Sequence, residues 1–114
     1  MSVLDVHGTL DSLVPYSLQK PSLERLARLA GCSLTTQPAV QPASAGDTEC
    51  VTYGGCPVGI DVTGCTIQNG GHAWFGSDTC GTGAPIIGCA VVGNDSDTFV
   101  NTEAIWEFFS RHSR

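Results

Sequence analysis

The sequence predicts an α/β fold: a small, incomplete sheet in the order strand, helix, strand, strand, helix, stapled by disulfides. Three observations lead there. Short apolar runs at residues 2–8 and 60–68 are each followed by a segment of helical period. Two strand-like runs, 49–53 and 60–68, flank the turn Gly54-Gly55-Cys56-Pro57. Six cysteines fall in the 114 residues, with no Cys-x-x-Cys pair. That spacing argues against structural zinc and for disulfides formed in an oxidising compartment.

The first strand is read over Ser2–Gly8, where Val3, Leu4 and Val6 make a run of the kind buried in parallel sheets and Gly8 ends it. A loop holding Asp11 and Pro15 leads to a helix over 21–30. Pro21 suits a first helical position, Leu23, Leu26, Ala27 and Ala30 form one apolar face, and Gly31 stops the helix. Residues 33–48, rich in Thr, Gln, Pro, Ala and Ser, read as an exposed connection. After the two paired strands, Asn69-Gly70-Gly71 turns into His72-Ala73-Trp74-Phe75. Residues 76–100 read as a long irregular stretch. A last helix begins near Thr102 with Asn101 as N-cap, burying Ala104, Ile105, Phe108 and Phe109, with Trp106 packed. His112 is expected exposed at its end, where a cation opposes the helix dipole. Two helices scarcely cover both faces of a parallel sheet, so the pattern is that of half an architecture.

Composition narrows the function. Five Lys+Arg against 11 Asp+Glu give a formal charge of −6, which argues against a nucleic-acid partner. No apolar run reaches the roughly 18 residues of a membrane span. Asp95-Ser96-Asp97 lacks the further ligands of a calcium loop, so it reads as solvated loop and no metal is expected. Asn94-Asp95-Ser96 is a formal glycosylation sequon. A secreted composition without a basic and apolar export signal at Met1 leads to the expectation that the natural chain continues upstream.

Two loops carry the chemistry. His7-Gly8-Thr9-Leu10-Asp11 follows the first strand and Gly70-Gly71-His72-Ala73-Trp74 the last. In open α/β sheets, ligands bind at the carboxyl ends of strands, so Asp11 and His72 are expected on one edge. An Asp accepting from an imidazole N–H fixes the tautomer, and the other ring nitrogen then serves as base to a hydroxyl. His7 is read as packed support of the acid loop. Trp74 and Tyr16 are candidate substrate-binding residues, with core packing equally open for Trp74.

The residues that carry a family resemblance are Val6-His7-Gly8-Thr9-Leu10-Asp11 with Val14-Pro15-Tyr16, Gly31-Cys32, Thr52-Tyr53-Gly54-Gly55-Cys56, Thr66-Ile67-Gln68-Asn69-Gly70-Gly71-His72-Ala73-Trp74, and Ala104-Ile105-Trp106-Glu107-Phe108-Phe109. In this order they resemble the C-terminal part of secreted α/β-hydrolase esterases, the group of polyhydroxybutyrate depolymerases and feruloyl or acetylxylan esterases. The family usually has Pro after the Trp, where this chain has Phe75. The resemblance implies that residues 1–114 are the C-terminal segment of one α/β-hydrolase catalytic domain, with Asp11 as acid and His72 as base of a Ser-His-Asp triad. It implies ester substrates, polyester or plant cell-wall, and no cofactor. It also implies that an N-terminal half of the domain is required. No Gly-x-Ser-x-Gly occurs and the oxyanion loop is absent, so the isolated chain is expected to be inactive.

Six cysteines allow 15 pairings. If the two central strands form a hairpin, Cys50 and Cys65 lie roughly opposite each other. Cys56 then comes near Cys32, a pairing the resemblance favours, and Cys80 with Cys89 would close the irregular stretch. The alternative function is a secreted, non-catalytic module that binds carbohydrate or protein through exposed Trp74, Tyr16 and Tyr53.

Overall fold

The computed structural model describes residues 1–76, 93–96 and 98–112. The fold is mixed α/β, with one four-stranded sheet and two helices among the described residues. The strands are β1 (Val3–Gly8), β2 (Thr36–Pro38), β3 (Thr48–Tyr53) and β4 (Val62–Ile67); the helices are α1 (Gln19–Ala30) and α2 (Asn101–Ser110). A 3-10 turn, Tyr16–Leu18, leads into α1. The sheet order is β1-β4-β3-β2. β1 runs parallel to β4, and β4, β3 and β2 are antiparallel neighbours.

Strand alternation sorts the side chains onto two faces. On the α1 face Leu23 and Ala27 pack with Tyr53 and Val62, and with Val3 and Cys32. On the other face Cys50, Cys65, Ile67, Phe75, Phe99 and Ala104 form a second cluster joined by Leu4 and Val6. β4 is flanked by strands and covered on both sides, so five of its six residues are buried. Gly64 is the point of closest approach to α1: a Cβ there would lie 2.4 Å from Leu23 Cδ1.

α1 begins two residues before the expected start, and Pro21 is its third residue. That position also lacks an intrahelical partner for its N–H, so a proline costs nothing there. Gly31 ends the helix in the left-handed region at φ 83°. The stretch 33–48, expected to be a plain connection, holds the edge strand β2 and is tied to the sheet. Ser44 Oγ accepts from the Cys50 N–H, and Asp47 accepts from the hydroxyls of Thr48, Ser96 and Thr98. β2 is exposed along its whole length and ends in Pro38, so it has no hydrophobic period to betray it.

α2 starts at Asn101 itself, with Val100 as its N-cap. Ala104 and Phe108 are buried as expected, whereas Phe109 is 47% exposed and Trp106 75% exposed. His112 is not exposed. Its Nδ1 lies 2.7 Å from the Phe108 carbonyl and its Nε2 2.8 Å from Asp61 Oδ2, because the end of α2 folds back onto the segment before β4. Asp95 is no solvated carboxylate either: its Oδ1 accepts from the N–H groups of Gly76 and Ser96. Among the described residues no helix is long and apolar enough to cross a membrane.

Among the described residues two disulfides form, Cys32–Cys56 and Cys50–Cys65. Cys50 and Cys65 are direct cross-strand partners. Cys32–Cys56 ties the end of α1 to the turn between β3 and β4. The expected Cys80–Cys89 pair lies outside the described residues. Cys50–Cys65 closes a 15-residue separation, which in the chain-entropy view stabilises by about 3 kcal/mol. Replacing both cysteines with Ala is expected to lower the unfolding free energy by at least that amount, measured by urea denaturation.

Candidate active site

Because β1 and β4 are parallel, both of their C-terminal ends reach one edge of the sheet, and the loops that follow meet there. Backbone bonds fix the meeting. Thr9 N donates to Ile67 O at 3.0 Å and Leu10 N to Gly70 O at 2.9 Å, while Asn69 N donates to Thr9 Oγ1 at 2.8 Å. Glycine is required at the crossing: a Cβ on Gly8 would stand 2.1 Å from Gly70 O and 2.5 Å from Gly71 O. The Gly70-Gly71 backbone therefore lies directly against the end of β1, and the next residue, His72, is delivered to Asp11.

Asp11 is held from both sides. Its Oδ1 accepts from the N–H groups of Leu13 (2.9 Å) and Val14 (2.8 Å), an Asx turn that fixes the carboxylate plane. Its Oδ2 lies 2.8 Å from His72 Nδ1 and 3.4 Å from His7 Nε2. His7 Nε2 donates its one proton to the Val14 carbonyl at 2.8 Å, so its 3.4 Å approach to Asp11 is a contact beside the Val14–Asp11 hydrogen bond. The Asp11 side chain is only 5% exposed, and that of His72 is 46% exposed. Burial pushes the Asp11 carboxyl up. The Val14 N–H, the His72 ring, the Leu13 N–H and the His72 charge outweigh it and hold the carboxyl below its ordinary value.

With Nδ1–H pointing at the carboxylate, the His72 ring keeps its lone pair on Nε2. It can take a proton there, and Asp11 stabilises the resulting imidazolium. Among the described residues no hydroxyl or thiol is hydrogen-bonded to this ring.

His72 and Asp11 open into a cleft of about 430 Å³ whose walls include Trp74, Phe75 and Asn101. Trp74 is 56% exposed and its indole N–H donates to Thr102 Oγ1 at 3.2 Å. Tyr16 does not line this cleft. Its ring meets His7 edge-on at 5.9 Å and its hydroxyl turns away to Thr66. Asn101, read from sequence only as a cap, is 7% exposed in the cleft wall, and nothing in its spacing distinguishes the two roles. Among the described residues no cluster of three or more His, Cys, Asp or Glu could hold a metal ion.

Comparison with protein-family models, with curated proteins and with solved structures finds no match to this chain.

Two outcomes are expected. Gly8→Ala must displace the Gly70 carbonyl, and overpacking of this kind costs about 1–3 kcal/mol. It should also abolish the downfield proton resonance of the His72 Nδ1–H···Asp11 bond, read by proton NMR. Acid is the second probe. A carboxyl whose folded-state pKa is depressed stabilises the fold fully above its unfolded pKa of about 3.9, and that contribution is lost as pH falls through the folded value. Acid unfolding of Asp11→Asn should therefore be less steep below about pH 4 than that of the parent chain.

Proposed function

We propose that this chain supplies the base and acid of a serine ester hydrolase of the α/β-hydrolase class, as the C-terminal portion of its catalytic domain. The observation that supports this reading is the 2.8 Å bond from His72 Nδ1 to an Asp11 carboxylate already fixed by two backbone N–H groups, with Nε2 left to act in an open cleft. In the complete enzyme a serine Oγ attacks the ester carbonyl carbon while its proton passes to His72 Nε2. The tetrahedral oxyanion collapses and expels the alcohol, which takes that proton from the ring. Water then repeats the sequence on the acyl-enzyme, returning the serine and releasing the acid.

The nucleophile and the oxyanion donors come from a segment outside residues 1–114. The free edge of β1 fits that arrangement: among the described residues β4 is its one sheet neighbour. The resemblance to polyhydroxybutyrate depolymerases and feruloyl or acetylxylan esterases makes polyester or plant cell-wall esters the substrates. Two disulfides are compatible with an extracellular setting, and we place the protein there.

Loss of the serine alone removes about 10⁶-fold from kcat in a triad enzyme, so the isolated chain should not turn over an activated acyl ester. The assay is p-nitrophenyl acetate hydrolysis by the purified chain and by His72→Ala. Equal, background rates are expected. Turnover that His72→Ala abolishes would mean the 114 residues hold a complete active site, contrary to the reading.

A binding module is the second reading, favoured by the 56% exposure of Trp74. The stacking surface it needs is reduced, since Tyr53 is buried at 5% exposure. If ester hydrolysis remains absent after the missing segment is supplied, this second reading stands.

A further inference from the structure

A second cleft opens on the α1 face of the sheet, about 190 Å³ in volume, between α1 and strands β3 and β4. Its polar groups form a chain whose hydrogen-bond direction is forced. Gln19, 7% exposed, donates through Nε2 to Asp5 Oδ2 at 2.7 Å and to the Cys65 carbonyl at 3.0 Å. A carbonyl only accepts, so the amide orientation is fixed and Oε1 must face Thr66. Thr66 spends its one hydroxyl proton on Gln19 Oε1 at 3.1 Å. Its oxygen can then only accept from Tyr16, whose hydroxyl lies 3.0 Å away.

The consequence is at the surface. Tyr16, 36% exposed, has already committed its proton inward, so toward the cleft its oxygen offers lone pairs alone. Glu49 stands beside it, as the cross-strand partner of Thr66. It is exposed and has no ion-pair partner among the described residues. The cleft thus presents two acceptors in its lining, beside the hydroxyls of Thr36 and Tyr53. The one cation at its rim, Lys20, is paired with Glu24. Between them the lining is apolar, from Leu23 and Val51.

We propose that this cleft binds one ring of a neutral sugar, with adjacent hydroxyls donating to Tyr16 Oη and the Glu49 carboxylate and a C–H face lying on Leu23 and Val51. An uncharged polyhydroxy ligand fits because Tyr16 Oη and the Glu49 carboxylate accept, while the hydroxyls of Thr36 and Tyr53, which also line the cleft, can donate or accept. A cation fits less well, since Lys20 stands at the same rim. The volume is below the roughly 300 Å³ of a drug-sized pocket and suits a single small ring. The site is separate from the Asp11–His72 cleft and does not depend on the esterase reading.

The test is an NMR titration of the full oxidised chain with the methyl glycosides of glucose, galactose, mannose and xylose. At least one should produce saturable amide shifts at Glu49, Thr66 and Tyr53, and these should persist as salt is raised. Tyr16→Phe keeps the ring against His7 and removes the hydroxyl, and with it both the acceptor and the bond to Thr66. Glu49→Gln keeps the shape and removes the charge. Each should weaken binding about tenfold, the effect of losing one hydrogen bond that matters. Absence of shifts with all four sugars overturns the proposal, as does equal affinity in parent and both variants. So does a salt-sensitive response at the same amides to tetramethylammonium chloride without one to sugars, which would make the cleft a cation site. Ester hydrolysis is not read in this experiment, so its outcome leaves the esterase proposal to its own assay.

Discussion

Everything at the candidate site depends on how closely one backbone can pass another. β1 and β4 run parallel, and at their shared end Gly8 lies under the carbonyls of Gly70 and Gly71 with no room for a side chain. That contact fixes the height of both loops above the sheet. Leu10 then bonds back to Gly70, Asn69 bonds to Thr9, and Asp11 and His72 are left facing each other. Backbone is the stiffest material the chain has, so a pair set by main-chain contacts is pre-organised rather than assembled on demand.

The same edge couples two environments. His7, Thr66 and Glu49 form one row across β1, β4 and β3 on the α1 face. His7 leans on the acid loop, Glu49 opens to the second cleft, and Tyr16 bridges them with its ring edge on His7 and its hydroxyl on Thr66. A polar row of this kind is uncommon beneath a helix. Its middle member, the half-buried Thr66, is hydrogen-bonded to both Gln19 and Tyr16, which offsets the cost of burying its hydroxyl.

Much of the fold could be read from the sequence because it follows simple periods. The apolar run of β1, the face of α1 and the Gly31 stop are local signals, and each recurs in the structure. The hairpin reading placed Cys50 opposite Cys65, and they are bonded. What escaped was decided by tertiary context. β2 has no buried side to give it a period. The burial of His112 depends on Asp61, 51 residues away, which no local pattern reveals. The exposure of Trp106 reflects a helix whose outer face nothing among the described residues covers. At the site, the sequence indicated that Asp11 and His72 share an edge. It did not reveal that Tyr16 belongs to another cleft, because the turn Tyr16–Leu18 directs the hydroxyl across the sheet.

The covalent ties are unevenly distributed. The two disulfides among the described residues lie among α1, β3 and β4, and β1 itself contains no cysteine. The strand that leads to Asp11 is held, among the described residues, by its hydrogen bonds to β4 and by the packing of Val3, Leu4 and Val6. Local opening takes its lowest-energy route through the least anchored segment. The scaffold can therefore outlast the candidate site: an oxidised chain that has released β1 still keeps its cystine-bound hairpin, while the Asp11–His72 contact has already dispersed.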